Sequence, residues 1–563
     1  MQSERATGTL QDIGSRDHSS TAEYRIFGPP GTGKTTNLTR QIRRAVDRFG
    51  PDSVLVTSFS RAAAAELAGR DLPSNPERIG TLHSHCYRAL GAPPIAEANV
   101  DEWNRQYPQL QITPTRKQNK LDGEETAEED GRAKPGDLWL QELNRFRGLM
   151  IPVEGWSANL RDFAGRWKEY KDALGLLDFT DLIETCYRDI AAAPKRPVVI
   201  FADEAQDLNR MQLALIRKWG RHCNYFIVCG DEDQTIYSFS GASPDAMLDP
   251  DIPDDHKIIL KQSYRVPRSV HGLADKFIRQ VTRRQEKVYL PRLEDGACIR
   301  GPLNASYKSP DYWVVKTVAE HAAKGQTVML LASCAYMLEP LVAVLRKNAI
   351  PFHNPYRRSN GYWNPIRLGR KGSAANRILA LLAAHPDFGG ERRDWTQGDL
   401  ALWAEWLQSK GILKHGAKKR LQAAKPAAPA TIETLDEVFE GGALESLLEA
   451  YEGDHRRLLD WWRRRVTADV HKRIQFPAEV SLAHGPRALL EPPQVIVGTI
   501  HSVKGGEADV VFLFPDLSDS GLTAYRRHGP PKDAVIRTFY VGMTRAREVL
   551  YLCAPESVAA AVL

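Results

Sequence analysis

Gly28-Pro29-Pro30-Gly31-Thr32-Gly33-Lys34-Thr35 is the stretch that decides the fold. It follows a short apolar run at 24–27 and leads into Asn37-Leu38-Thr39-Arg40-Gln41-Ile42, which reads as a helix. Strand, glycine-rich turn and helix form the setting that a phosphate-binding loop requires. The glycines let successive backbone N–H groups converge on one anion, and the helix N-terminus adds its partial positive charge. In that setting Gly28, Pro29, Pro30, Gly31, Thr32, Gly33, Lys34, Thr35 and Thr36 would cradle a triphosphate. Lys34 would reach the outer phosphates, and the Thr35 hydroxyl would hold Mg2+.

A second element supports this reading. The apolar run at 198–202 passes directly into Asp203-Glu204-Ala205-Gln206-Asp207. A buried strand ending in two acids places them at the carboxyl edge of a sheet, beside the phosphate loop. Hydrolysis of a nucleoside triphosphate needs one acid for Mg2+ and another to orient and deprotonate water. Asp203 suits the first role and Glu204 the second.

Further out, short β-branched runs alternate with helical segments. At the front they lie at 24–27, 53–57, 198–202 and 225–229; towards the back at 258–260, 328–332, 495–499, 509–514 and 549–553. Strands buried on both faces and separated by helices imply parallel sheets, so the expected class is α/β with two sheets. Between the two sets, residues 92–178 carry an acidic tract and Trp/Phe-bearing helices. Residues 385–485 are helical in pattern and broken by an apparent linker at 418–430.

The bulk composition limits the alternatives. With 563 residues, the chain exceeds what one core supports, and two to four domains are expected. A net charge of +6 permits a nucleic-acid partner without demanding one. The seven cysteines have no metal-ligand spacing and read as buried hydrophobes in a reducing compartment. No apolar segment is long enough for a bilayer, and the first residues lack the apolar stretch of a signal peptide. A cytoplasmic protein without a membrane partner is expected.

The remaining motifs bring in a family. Thr57-Ser58-Phe59-Ser60-Arg61-Ala62-Ala63-Ala64-Ala65-Glu66-Leu67 is similar to TFTNKAAxEM, and Gly80-Thr81-Leu82-His83-Ser84 to GTFHS. Gly230-Asp231-Glu232-Asp233-Gln234-Thr235-Ile236-Tyr237-Ser238-Phe239-Ser240-Gly241-Ala242 is similar to GDxxQxIYxFRGA. Leu260-Lys261-Gln262-Ser263-Tyr264-Arg265 follows LxxNYR, and Thr499-Ile500-His501-Ser502-Val503-Lys504-Gly505-Gly506-Glu507 follows TxHxxKGLE. Tyr540-Val541-Gly542-Met543-Thr544-Arg545-Ala546-Arg547 closes the series. In order and content the series resembles the UvrD/Rep/PcrA-like superfamily 1A DNA helicases, in a compact version of the phage or accessory kind.

The resemblance implies two RecA-like parallel-sheet motor domains, with a mainly helical insertion in each and ATP with Mg2+ in the cleft between them. The expected layout is a flexible tail at 1–22, a first motor domain at 23–91 and 179–255, and a first insertion at 92–178. The second motor domain follows at 256–384 and 486–563, with its short insertion at 385–485. Arg265 and Arg545 would face the γ-phosphate from the second domain, and Gln234 would sense it. Tyr264 would stack on adenine, Glu507 would bond the ribose, and Gly505 would line that site. Phe59, His83, Tyr237, Phe239 and His501 would meet single-stranded DNA. Tyr356-Arg357-Arg358-Ser359-Asn360-Gly361-Tyr362-Trp363, with Arg367, Arg370 and Lys371, suits a phosphate track. It equally suits a plain solvated loop. The basic stretch at 455–465 reads as a helix with an apolar stripe and a solvated cationic face, or as a duplex contact.

Several positions depart from the family pattern. The glutamine motif before the phosphate loop is not recognisable around Gln11, and Ser240, Ser263 and Gly506 replace an arginine, an asparagine and a leucine. None of these removes a catalytic group. The expected activity is ATP-driven 3′–5′ movement on single-stranded DNA and unwinding at single-strand/duplex junctions, by a monomer. Two alternatives are a translocase that displaces proteins or needs a partner to unwind, and a nucleotide-dependent DNA-binding switch with weak turnover. Intact Glu204, Arg265 and Arg545 argue against the switch.

Overall fold

The β-branched runs form two six-stranded sheets in which every strand is parallel to its neighbours. The computed structural model describes residues 22–59, 61–70, 72–115, 134–310, 312–357, 363–366, 372–388 and 393–563. The strands of the first sheet are β1 (Ala22–Phe27), β2 (Val54–Ser58), β3 (Ile79–Thr81), β4 (Val199–Asp203), β5 (Tyr225–Gly230) and β6 (Lys257–Ile259). Their order across the sheet is β3-β2-β4-β5-β1-β6. The second sheet holds β7 (Ala297–Arg300), β8 (Val328–Ala332), β9 (Phe352–His353), β10 (Val495–Thr499), β11 (Ala508–Leu513) and β12 (Ala546–Leu552), in the order β7-β12-β11-β8-β10-β9. This is the α/β class expected, with two RecA-like parallel sheets. The continuous apolar runs follow from burial on both faces: β2, β4, β8 and β10 are buried at every residue.

One strand changes sheets. The run at 258–260 was expected to open the second set, but β6 pairs with β1 in the register Ile26↔Ile258 and Phe27↔Ile259. It covers the edge that β1 would otherwise expose next to the phosphate loop. The chain therefore crosses to the second sheet after Leu260, whose N–H still bonds to Phe27 O. At the front, Ala22 pairs with Tyr225 and so belongs to β1 rather than to a tail.

The insertions differ in how they are held. Residues 92–178 have their own apolar cluster around Trp103, Leu160, Phe163 and Trp167. Its anchor is Asp178, the N-cap of the helix Phe179–Asp189, which accepts bonds from Arg147, Lys171 and Trp167 Nε1. Burial opposes the Asp178 charge, yet Arg147 and Lys171 hold its pKa below the usual carboxylate range. In 385–485, by contrast, Trp403, Trp461 and Trp462 join one cluster with Val328, Leu330, Val495 and Val497 of the second sheet.

The supposed linker at 418–430 is packed structure. Ala417–Ala423 is a helix with Ala417 and Leu421 buried, and Lys418 Nζ donates to the carbonyls of Glu405 and Leu407. Alanine favours helix intrinsically, and one leucine is enough to seat so short an element. The following prolines are tied down as well, with Gly398 N donating to Pro426 O and Ala430 N to Trp395 O. The helix His455–Arg463 buries Leu458, Leu459, Trp461 and Trp462, the apolar stripe of the first reading.

The tail at 1–21 with Gln11, the acidic tract at 116–133, and Arg358, Arg367, Arg370 and Lys371 lie outside the described residues. Among the described residues, no helix is long and apolar enough to cross a membrane.

Candidate active site and nucleic-acid interface

Strand ends of a parallel sheet meet at one edge, and the first-sheet groups gather there. β1 delivers Gly28, whose N–H bonds to Gly230 O at 2.9 Å, and the loop then enters the helix Lys34–Phe49. That helix has no acid in its first turn and no side-chain cap, so its leading N–H groups remain for an anion. Gly31 and Gly33 both adopt φ +74°, a conformation that favours glycine. Gly31 is constrained twice, because a Cβ there would come 2.4 Å from Arg265 Cβ. Thr32 Oγ1 braces the turn on Pro29 O, and Thr35 O accepts from Thr39 Oγ1. Thr36 is exposed at the start of the helix.

Lys34 Nζ lies 2.9 Å from Glu204 Oε1. Burial works against the Lys34 charge, but Glu204 and Asp203 raise its pKa well above the ordinary lysine value. For Glu204, burial would raise the pKa, yet Lys34 and Lys504 bring it down to about 2. Glu204 also sits at φ +50°, unusual for a residue with a side chain and typical of strained functional positions. Asp203 is buried at the end of β4. With the Thr35 hydroxyl, its carboxylate supplies the hard oxygen donors that Mg2+ prefers.

The second sheet completes the cleft. Arg545 is 1% exposed, with Nε on Val541 O at 2.9 Å and Nη1 on Gly506 O at 3.0 Å. Its Nη2 reaches Gln234 Oε1 at 3.3 Å, while Gln234 Nε2 donates to Asp231 Oδ2 at 2.7 Å. Burial, followed by the neighbouring Arg265, lowers the Arg545 pKa to about 9. Arg265 Nε donates to Glu507 Oε2 at 2.6 Å, and Arg547 lies 3.5 Å from the other oxygen of that carboxylate. Glu507, expected on a ribose, is thus engaged with two arginines. Tyr264 is 74% exposed while its N–H bonds to Gly31 O at 2.8 Å. Gly505 turns at φ +86°.

Residues that the motif reading passed over join the two halves. Gln206 is fully buried; its Nε2 donates to Glu204 Oε2, and its Oε1 accepts from Asp231 N at 3.1 Å. A polar chain therefore runs Lys34–Glu204–Gln206–Asp231–Gln234–Arg545 from one sheet to the other. Lys504 Nζ crosses the cleft to Asp207 at 2.6 Å and to Gln234 O at 2.8 Å. Ser263, where the family has asparagine, donates to Pro30 O at 2.9 Å and accepts from the N–H groups of Arg265 and Val266. Asp207, Ser263 and Lys504 lie inside the quoted motifs, and their cross-cleft partners were the missing information. Asp231, Glu232 and Asp233 are close enough together to suggest a metal site. However, Lys287 Nζ sits within 2.9 Å of all three.

Next to this chain lies an aromatic group. Phe59 stacks on Tyr237 with ring centroids 5.5 Å apart, and Phe239 meets His501 edge-on at 5.6 Å. Phe239 is 40% exposed, and Lys504 Nζ stands 5.0 Å over the Tyr237 ring. Burial lowers the His501 pKa to about 4, so its ring is neutral at pH 7. His83 lies apart from these rings, edge-on to Phe179 at 6.4 Å. The expected track at 356–363 is corrected in its described part. Trp363 is 4% exposed within the second-sheet core, and the buried Arg357 lies over it at 4.7 Å. A Trp is worth more to the core than to a rim, and the guanidinium covers its face. Tyr356 points to Gly506, where a Cβ would come 2.3 Å from its hydroxyl, so glycine replaces the family's leucine there.

Comparison with known proteins agrees with this geometry. Residues 16–252 match the UvrD/REP helicase N-terminal domain and residues 470–557 the UvrD-like helicase C-terminal domain, together more than half of the chain. The chain is similar to ATP-dependent DNA helicase PcrA of Staphylococcus epidermidis, 24% identical over 94% of this chain and 80% of that protein. It is also similar to ATP-dependent DNA helicase UvrD1 of Mycobacterium tuberculosis, 29% identical over 46% of this chain and 38% of the relative. UvrD1 of Mycobacterium leprae is 25% identical over 60% of this chain and 48% of its own length. The chain thus spans less than half the length of these UvrD1 relatives. With both matched domains in order and the cross-sheet chain of motif residues between them, the protein belongs to the UvrD/Rep/PcrA-like family of superfamily 1A DNA helicases.

Proposed function

We propose that the protein is an ATP-driven motor that moves 3′ to 5′ on single-stranded DNA and opens duplex at junctions. The observation that carries the reading is the convergence of Lys34, Glu204 and Gln234 from the first sheet with Arg545 from the second, through hydrogen-bonded neighbours. Thr35 and Asp203 would hold Mg2+, which neutralises phosphate charge. Lys34 exchanges Glu204 for the phosphates when ATP enters. Glu204 then loses the partner that depresses its pKa and becomes a better acceptor for the proton of the attacking water. Arg545 exchanges Gln234 for the γ-phosphate, and Arg265 does the same from Glu507.

On this reading the same exchange alters the DNA face. Gln234 is two residues from Ile236, whose carbonyl bonds to the His501 ring, and Lys504 touches both Gln234 O and the Tyr237 ring. A base stacked between Phe59, Tyr237 and Phe239 would be gripped or released as the cleft closes and opens.

ATPase rates with and without single-stranded DNA, followed by forked duplexes with a 3′ or a 5′ tail, test this. DNA-stimulated turnover and unwinding of the 3′-tailed fork support it. Turnover without unwinding points instead to a translocase that displaces proteins, a reading favoured by an insertion whose core is continuous with the second sheet. Negligible rates in both conditions sink the motor.

A further inference from the structure

The segment between the helix Arg268–Ile278 and β7 crosses back onto the first sheet. Thr282 N and Oγ1 donate to Asp533, and Arg537 Nη2 donates to Arg283 O, so one end is fixed to the second-sheet helix Pro530–Met543. Beyond that point Arg283, Arg284, Lys287 and Tyr289 turn to the other half of the molecule. Arg283 pairs with Asp245 and Asp249, and Arg284 pairs with Asp233 at 2.7 Å. Gln285 N donates to Glu232 Oε1 at 2.9 Å. The Lys287 side chain, 1% exposed, reaches Asp231 and Glu232 at 2.7 Å and Asp233 at 2.9 Å. Tyr289 Oη donates to Pro30 O of the phosphate loop at 2.8 Å.

A fully buried ammonium among three carboxylates is costly to assemble, and a solvated surface lysine would serve a simple tether as well. What the burial achieves is orientation. Asp231 has one oxygen on Lys287 and the other on Gln234 Nε2, and Gln234 Oε1 faces Arg545. We propose that Lys287 is a positioning residue for hydrolysis, fixing Asp231 so that Gln234 faces the γ-phosphate, with Tyr289 tying the same strap to the phosphate loop. Movement of the second sheet then acts on Gln234 and on the loop at once, through a covalent strap rather than through nucleotide alone.

The inference rests on the motor reading, and wild-type turnover measured alongside separates the two. An inactive wild type sinks the motor, whereas an active wild type leaves only the strap at stake. Lys287→Met is expected to lower DNA-stimulated kcat by about tenfold or more, with binding of a fluorescent ATP analogue changed by less than about threefold. In a Gln234→Ala background the same change should cost less than about threefold, because both act through one group. Losses that multiply in the double variant, or a fall in Tm with kcat unchanged, overturn the proposal. If Lys287→Met does not fold, Lys287→Met with Glu232→Gln removes an acid together with the cation and gives the same readout. Burial pushes the Glu232 pKa up to about 7, so this carboxyl is readily neutralised.

Discussion

Replacing Arg545 by lysine keeps the charge and removes the fork, and the structure sets the size of the effect. Nε and Nη1 are held by two backbone carbonyls, Val541 O and Gly506 O, so only Nη2 is available to change partner. It gives up a long 3.3 Å bond to a neutral amide and gains one to an oxygen on which charge grows during transfer. An arginine in this role contributes a factor of about 10³–10⁵ to kcat, or roughly 4–7 kcal/mol in the barrier. A lysine cannot hold both carbonyls and still reach across the cleft. Arg545→Lys is therefore expected to lower DNA-stimulated kcat by about a thousandfold or more, with ATP affinity changed by less than about tenfold. Leaving one of the carbonyls without a donor costs about 1–3 kcal/mol of stability, which a thermal melt reads as a lower Tm. The assay is steady-state hydrolysis with saturating single-stranded DNA, alongside nucleotide binding on the same folded sample. A kcat within about tenfold of the parent protein would mean that Arg545 is a structural arginine and that the cleft has been assigned to the wrong chemistry.

Four further outcomes follow from the same geometry. Glu204→Gln should abolish turnover while ATP and DNA still bind, as read by single-turnover hydrolysis beside filter binding; surviving hydrolysis would move the base elsewhere. Gly31→Ala should weaken nucleotide binding by about tenfold or more, since φ +74° and the approach of Arg265 Cβ both exclude a methyl group. Phe239→Ala should cost about 1–3 kcal/mol of single-strand affinity in a fluorescence titration, the usual worth of one stacked base. Asp207 sets a pH dependence, because burial pushes its pKa up to about 6 against the pull of Lys504. As pH falls through that value the carboxyl takes a proton and Lys504 loses its charged partner across the cleft. The folded form binds this proton more readily than the unfolded chain, so acidification through this group does not itself favour unfolding. DNA-stimulated activity should drop between about pH 7 and 5 in a protein that remains folded, and Asp207→Asn should flatten that limb.

The sequence carried the sheets where strands are long and apolar. β4 and β8 are legible because five successive buried residues leave no polar alternation to misread. It failed where strands are short or peripheral. β3 and β9 contain Gly80 and His353 within three and two residues, and β6 is an edge piece whose partner no local pattern names. The candidate site was legible wherever backbone geometry demands particular residues, as at Gly31 and Gly33 or at the acids ending β4. Trp363 and Lys287 show the opposite limit. In a linear reading an aromatic between arginines looks like a platform, and a lysine in an Arg-Arg-Gln-Glu-Lys run looks like a solvated charge. Trp363 is nevertheless core, and Lys287 is buried among carboxylates more than fifty residues away in sequence. Such pairings depend on which sheet the chain returns to, which local composition does not encode.

The central claim is a single triphosphate held from both sheets. Its most direct test is a structure with ADP and aluminium fluoride, in which the fluoride stands for the phosphoryl group in transfer. Lys34 Nζ and an Arg545 Nη atom should both lie within hydrogen-bond distance of that group, with Arg545 released from Gln234. If the nucleotide is bound while Arg545 Nη2 stays on Gln234, or if it occupies a site away from Lys34, the two-sheet clamp is wrong.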